Sequence, residues 1–357
     1  ELLANQVSVF VAAALAGNPA AAGIANAVGD VVAGLLADPQ FVDPIAALFG
    51  SVLPDFVGQP GVPAAFAGVA GEAVLAVLTG TPPATALAAA LQALLGESAV
   101  DDGVGATVTE ALGALLSNTG FLATLGTTVT DLMGAIFAVP QVPGVVGQTV
   151  TGIVAAALAG NPAGAPLAAA LGGAVAGLLG NPAFSGGIAA VSGWVVANAL
   201  SAPGMAQALA ATAGEIAVAI LGGSDPSAVL AGAVQGLLSQ AAVRNAVGSV
   251  VAGAVGQLLA NTALVDAVGD TLTVLVSGVL AAPAIQAEAG RQVATLVAGA
   301  LGGTPAAVDI GAAVGDALVS LLADPALTGG LAALVGTVLT TFVGQPGIPA
   351  ALSGVAG

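Results

Sequence analysis

The sequence has no lysine, histidine, cysteine or tyrosine, and its only cations are Arg244 and Arg291. These absences exclude much chemistry. Without His, Cys or Lys there is no catalytic triad, no Schiff base, no thiol chemistry and no imidazole or thiolate metal site. No disulfide can form, and the redox compartment is left open. Aromatic residues make up 3% of the chain, and Trp194 is the one tryptophan. The aromatic belts of membrane–water interfaces are therefore missing. With 19 acids against two arginines, the formal charge is −17. That balance argues against a nucleic-acid footprint and against an anionic lipid surface. Walker-type loops and EF-hand acid spacing do not occur either. The expectation is a chain with no catalytic, cofactor-binding or metal-ligating residue, which is not an enzyme.

Hydrophobic residues fill the space left by charge. They are 57% of the chain and charged residues 6%, against roughly 45–50% and about 25% in ordinary soluble domains. The apolar set is chiefly Ala, Val and Leu, and Gly adds 53 residues. Such a bias suits a GC-rich genome. Arginine codons are GC-rich too, so the scarcity of cations reads as exclusion by selection or environment.

The residues are laid out periodically. Leu35-Leu36-Ala37-Asp38-Pro39 returns as Leu178-Leu179-Gly180-Asn181-Pro182 and as Leu321-Leu322-Ala323-Asp324-Pro325, a step of 143 residues each time. Gly71-Glu72 returns as Gly214-Glu215, and Pro60 as Pro203 and Pro346, with no insertion or deletion. The sequence thus reads as repeat units 1–143 and 144–286 and half a third, 287–357. Each unit divides into unequal halves of 63 and 80 residues. The longer half carries extra length around Gly96–Leu112 and Ser239–Val255. Phe56–Gly61 recurs letter for letter at Phe342–Gly347 but not in the second unit, so a longer super-period is open. Gly357 aligns with Gly71 and Gly214 inside a helical pattern, which leads one to expect that the repeat continues.

Between turn signals the apolar spacing is helical. Ile24, Val28, Val31, Val32, Leu35 and Leu36 form one stripe, and Ile45, Leu48, Phe49, Val52, Leu53 and Phe56 another. The stops are Gly17-Asn18-Pro19 and Gly160-Asn161-Pro162, with weaker versions at Gly80-Thr81-Pro82 and Gly303-Thr304-Pro305. Glycine is expected in the left-handed conformation past one helix. Asn or Thr then caps the next, with Pro as its first residue. Asp38, Asn181 and Asp324 read as caps, and Asp43-Pro44 as a cap and first helical residue. Pro54 should kink or end its helix. The spacing predicts helices near 5–17, 20–37, 43–58, 63–80, 84–117, 121–138, 142–159, 163–180 and 185–201, and onward at the same step. The 84–117 stretch is one helix or two, broken near Gly103. The total is about fifteen to seventeen helices. Opposite each apolar stripe lie Ala and Gly instead of Lys and Glu, and small residues let helix backbones approach closely.

Few residues stand out as chemical. Asp101-Asp102 is the one adjacent acidic pair, but its counterpart is Arg244-Asn245. A repeated site would not change sign, so a solvated surface is the better reading. Glu72 and Glu215 are expected early in a helix, where the dipole favours negative charge. Asn26 and Asp30 read as a polar face. Trp194 replaces Ser51 and Thr337 and is expected to pack in a groove against a neighbouring helix. Arg244 and Arg291 should pair with carboxylates that the sequence does not identify.

The fold class expected is all-α: a tandem-repeat helical solenoid, or a fibre-forming helical array. Unvarying repeat length implies stacking in register. The leading functional expectation is therefore a structural protein that associates with copies of itself into a filament or tube. A carrier of lipid or another apolar ligand and a multi-span membrane protein are the alternatives. Against spanning, the helices are short and rich in Ala and Gly, and the stops show no Lys/Arg bias. The composition resembles that of secreted or envelope proteins of GC-rich bacteria, which implies an extracellular or cell-envelope location. Few cations would also resist trypsin-like cleavage. Far-ultraviolet circular dichroism should show a helix-dominated spectrum, and a β-dominated one would overturn the fold class.

Overall fold

A computed structural model describes residues 2–302, 304–345 and 347–356. Among these residues every regular element is an α-helix, as expected, and the helices number eighteen. The first six are α1 Leu2–Ala14, α2 Ala21–Ala37, α3 Pro39–Gly58, α4 Val62–Leu78, α5 Pro83–Leu94 and α6 Ser98–Ser117. Then come α7 Thr119–Ala138, α8 Gln141–Ala157, α9 Gly164–Leu179, α10 Pro182–Ser201, α11 Met205–Leu221 and α12 Pro226–Ser239. The last are α13 Ala241–Ala260, α14 Thr262–Ala281, α15 Pro283–Ala300, α16 Pro305–Leu322, α17 Pro325–Val343 and α18 Ile348–Ala356. Gly303, Pro346 and Gly357 lie outside the described residues, and with them the expected stop at Gly303 and the expected roles of Pro346 and Gly357.

Caps explain several boundaries. Asp38, Asn181 and Asp324 accept hydrogen bonds from the N–H groups of Gln40, Ala183 and Ala326 at 2.8, 2.9 and 2.8 Å. Gly17 and Gly160 both have φ near +89°, a conformation that costs glycine little. Asn18 and Asn161 accept from the N–H of Ala20 and Ala163, each at 2.9 Å. Pro19 and Pro162 nevertheless precede their helices, which start at Ala21 and Gly164. The asparagines bond two residues ahead and close an Asx turn, and the proline occupies that turn instead of the helix. At Thr304-Pro305 the expected arrangement holds, with Pro305 first in α16 and Thr304 as its cap.

Other boundaries are corrected. Helix α3 begins at Pro39, not at Pro44, because the Asp38-Pro39 pair is an equally good start five residues earlier. It also runs through Pro54 to Gly58. The Gly50 carbonyl that Pro54 leaves without a helical donor is on an exposed residue, where water can serve it. The 84–117 stretch is two helices, and the break falls at Leu95–Glu97, not near Gly103. Gly103 is buried within α6, where an added Cβ would stand 2.6 Å from Val62 Cγ2. That glycine serves packing, not a turn.

The chain divides into two compact units. The first takes in the chain to Ala33, Thr130–Ser192 and Gly253–Ala356; the second takes Gly34–Val129 and Gly193–Ala252. In the first, Ala20, Val139 and Val142 form a small core with Ile24, Ile136 and Phe137. In the second, Leu116, Phe121 and Leu122 pack with Phe41, Ile45 and Leu209, and the rings of Phe41 and Phe121 stack at 5.3 Å. Met205, Ala208, Val243 and Ala246 form another cluster there. Each cluster has only three or four fully buried members, with larger Leu, Ile and Phe side chains half-buried around them, so each buries a limited apolar area.

What holds the helix pairs is backbone contact. The tightest pairs are α15 with α16, α8 with α9, α6 with α11 and α14 with α17. In each, two glycines face each other. A Cβ on Gly147 of α8 would lie 2.5 Å from the Gly172 carbonyl oxygen of α9. On Gly315 of α16 it would lie 2.5 Å from the Gly290 oxygen of α15. On Gly214 of α11 it would lie 2.6 Å from the Gly105 oxygen of α6, and on Gly336 of α17 it would lie 2.9 Å from the Gly269 oxygen of α14. Helix α7 meets α10 the same way, at Gly126 and the Gly193 oxygen. Such approach gains dispersion along the whole crossing and allows Cα–H···O contacts. Four residues after Gly105, Gly147, Gly269 and Gly336 stands a threonine. Thr109, Thr151, Thr273 and Thr340 donate back to those glycine carbonyls at 2.8, 3.0, 3.0 and 3.2 Å. Each hydroxyl is satisfied within its own helix, so the crossing buries no orphan donor.

Glycine at a crossing and glycine in open space should respond oppositely to substitution. Gly152 of α8 and Gly177 of α9 have nothing within 4 Å of an added Cβ. Gly152→Ala and Gly177→Ala should each raise stability by about 0.5–1 kcal/mol. Gly147→Val and Gly290→Val should each lower it by about 1–3 kcal/mol or more. Urea unfolding of the four variants checks this, and equal effects in both classes would overturn the crossing model.

Candidate functional site

The polar candidates are scattered. Asp101 lies in the first turn of α6, where the helix dipole favours it, and Asp102 follows directly. Asp102 is exposed, and one carboxylate oxygen of Asp101 is buried without a hydrogen-bond partner. Arg244 is exposed in the first turn of α13. Glu72 and Glu215 are not early in their helices: they lie past the middle of α4 and α11, and both are exposed. The helix starts at Val62 and Met205 place them ten residues in, beyond the reach of the dipole. Arg291 does find a partner, forming a salt bridge to Glu288 one turn earlier at 2.5 Å. Hydrogen bonds from Arg291, and then from Gln292, hold the Glu288 carboxyl below its ordinary value, and the same pair raises Arg291. Trp194 is half-buried on α10. Among the described residues no three acids come together in a way that could hold a metal ion.

The acids gather instead beside the helix crossings. A groove at the α1–α2 contact is lined by Asn5, Ser8, Asn26 and Asp30, and Ser8 Oγ donates to the Ala25 carbonyl at 2.6 Å. Asn26 and Asp30 thus form the polar face expected of them. Asp266, Asp270, Thr273 and Thr337 line a second groove at α14–α17, and Asp102, Thr109 and Glu215 line a third at α6–α11. Glycine pairs leave room at these edges, and polar side chains open to water fill it. The glycines are the residues that sequence reasoning did not single out. A partial signal was present: Gly-x-x-x-Thr occurs at 103, 105, 120, 126, 147, 269 and 336, but the facing Gly172, Gly193, Gly214, Gly290 and Gly315 lack it.

The most extensive feature is apolar. The chain exposes 18716 Å², against about 12,500 Å² for a compact monomer of 32.9 kDa. In the second unit Phe49 and Leu53 of α3, Leu75 and Leu78 of α4, and Leu87 and Leu91 of α5 are all more than half exposed. Ala73, Val74, Val77 and Leu78 of α4 face Pro83, Ala86 and Leu87 of α5 across an apolar crevice of about 310 Å³. Surfaces of this kind mark contact with protein, lipid or an apolar ligand. Among the described residues seven helices (α3, α7, α10, α13, α14, α16 and α17) are long and apolar enough to cross a membrane. Four of them carry acids inside the segment: Asp43 and Asp55 in α3, Asp131 in α7, Asp266 and Asp270 in α14, and Asp309 and Asp316 in α16.

Comparison with known proteins finds no family model, curated protein or solved structure that matches the chain.

Core and surface aromatic residues should separate cleanly. Phe121 is 6% exposed and stacked on Phe41, so Phe121→Ala should cost about 3–5 kcal/mol in urea unfolding. Phe49 is 75% exposed, so Phe49→Ser should change stability by no more than about 0.5 kcal/mol. It should also reduce the sedimenting size of the purified chain, and an unchanged size would show that this face takes no part in association.

Proposed function

We propose that the chain is a structural, non-catalytic repeat protein whose helix pairs stack in register and whose uncovered apolar faces drive assembly with further copies. The repeat units are 1–143, 144–286 and 287–357. The observation that carries this reading is the return of the same contact at the repeat step. Gly147 on Gly172 in α8–α9 becomes Gly290 on Gly315 in α15–α16, and Ala4 and Ser8 against Gly29 hold the same places in α1–α2. Gly105 with Gly214 and Gly126 with Gly193 are crossings of α6–α7 onto α10–α11. Gly269 with Gly336 and Gly256 beside Ser353 are crossings of α13–α14 onto α17–α18. One set of contacts thus joins a unit to the next, and a change in length would break it. The absence of His, Cys and Lys, the dispersed acids and the apolar surface all favour scaffold over catalyst. A cell-envelope or extracellular setting suits a surface so poor in cations.

Contact with lipid is the second reading, favoured by the seven long apolar helices and by the α4–α5 crevice. Electron microscopy of the purified native chain, with mass spectrometry of its organic extract, separates the readings. Filaments or tubes with an axial repeat tied to the 143-residue unit are expected. Compact single particles with stoichiometric lipid would replace the scaffold by an apolar-ligand carrier. An absolute need for detergent without extended particles would replace it by a membrane-spanning protein.

A further inference from the structure

One face of the second compact unit is bare although the same face is covered wherever else it occurs. On α10 and α17 the small residues Ala189, Gly193, Ala332 and Gly336 are buried, with Ala189 3% and Ala332 0% exposed. On α11, Ala210 is 2% exposed and Gly214 is buried. The residues one step earlier in the sequence are Ala46 and Gly50 of α3 and Ala67 and Gly71 of α4. All four are exposed, and a Cβ on Gly50 or Gly71 would meet nothing within 4 Å.

Helices α6 and α7 lie on α10 and α11 at Gly105, Gly113 and Gly126, and α13 and α14 lie on α17 and α18 at Gly256 and Gly269. From this we infer that the α3–α4 face is a docking site for a helix pair of the α6–α7 kind, one that carries Gly-x-x-x-Thr on the side it presents. The shelf of Ala46, Gly50, Ala67 and Gly71 is flat enough to receive a helix backbone. Phe49, Leu53, Leu75 and Leu78, all more than half exposed, flank it as an apolar rim, and because Val335 and Leu221 hold the places of Phe49 and Leu78 at 41% and 40% exposure, such a pair would cover this rim in part. Two covered versions of this face, both closed by the same class of helix pair, favour that occupant over acyl chains. The inference rests on the 143-residue repeat, and the test below separates the two.

The cysteine-free chain makes disulfide trapping clean. An added Cβ on Gly113 would lie 3.8 Å from Ala210 Cβ, and one on Gly256 would lie 3.7 Å from Ser353 Cβ, distances suited to a disulfide. Gly113→Cys/Ala210→Cys and Gly256→Cys/Ser353→Cys, each in the full chain, should both oxidise nearly completely within the molecule. If only one does, the repeat reading fails. The docking test places a second copy of residues 98–143 ahead of residue 1 of the full chain, which reproduces the natural 143–144 junction. Cysteine replaces the glycine of that added segment equivalent to Gly113, and Ala67→Cys is made in the chain. An intramolecular disulfide in near-quantitative yield is expected. Moving the added cysteine to the position equivalent to the exposed Glu110 should lower the yield at least tenfold. No disulfide, or equal yield from both positions, while the two internal pairs form, would overturn the docking site and leave the repeat standing. An Ala67→Cys disulfide between two unextended chains would also overturn it, by showing that the face pairs with itself.

Discussion

Everything in this protein depends on how closely two helix backbones can approach. Many of its large side chains stay exposed, and there are almost no opposite charges to pair. Its core clusters are few and small in extent, built from Leu, Ile, Phe and Met with alanines and valines between them. A helix pair in an ordinary soluble domain gains stability from interlocking Leu, Ile and Phe. Here the gain comes from removing the side chain at one level of each helix, so that backbone meets backbone. The Gly147–Gly172 and Gly290–Gly315 contacts are of that kind. Glycine weakens an isolated helix, so the arrangement is favourable only where the partner helix is present. That makes helix pairing and helix stability a single event.

The same constraint would hold the proposed repeat to one length. A glycine-on-glycine contact tolerates no slip along the helix, because one residue of slip sets a Cβ against a carbonyl oxygen. The stops act with it: Asn18 and Asn161 close the same turn, and Asp38, Asn181 and Asp324 cap the same place. Turn and crossing together fix where each helix begins and which level of it meets its neighbour. Polar residues are then free to vary. Asp101-Asp102 gives way to Arg244-Asn245 near the start of the corresponding helix, while the glycines of the crossings keep their places.

Much of the fold was legible in the sequence because its signals are local. Helical periodicity, the caps at Asp38, Asn181 and Asp324, and the left-handed glycines at Gly17 and Gly160 each depend on a few neighbouring residues. Errors arose where two local signals competed. Asp38-Pro39 prevails over Asp43-Pro44, and the helix break falls at Leu95–Glu97 while Gly103 stays inside α6. The candidate surface was legible only in outline. Ala and Gly faces announced close packing, but Gly105 and Gly152 look alike in the sequence. One is pressed against α11, and the other has nothing within 4 Å. Ala67 and Ala210 stand at the same place in the repeat, yet the first is exposed and the second is 2% exposed. Burial here belongs to the neighbour, not to the residue, and no local pattern carries it.

Charge completes the argument. A chain with this much exposed apolar surface would adhere to itself indiscriminately if it were neutral. A net charge of −17, with almost nothing to offset it, makes every approach between copies repulsive at a distance. Hydrophobic contact is short-ranged and non-directional, so by itself it would not choose one face over another. The proposed glycine shelf would choose, because only a helix with glycine at the matching level can come close enough to gain. In the proposed assembly repulsion would suppress loose contacts, and backbone approach would select the few that hold. The scarcity of lysine and arginine belongs to the same logic. Scattered cations would pair with these acids across the wrong faces and weaken the discrimination that the crossings supply.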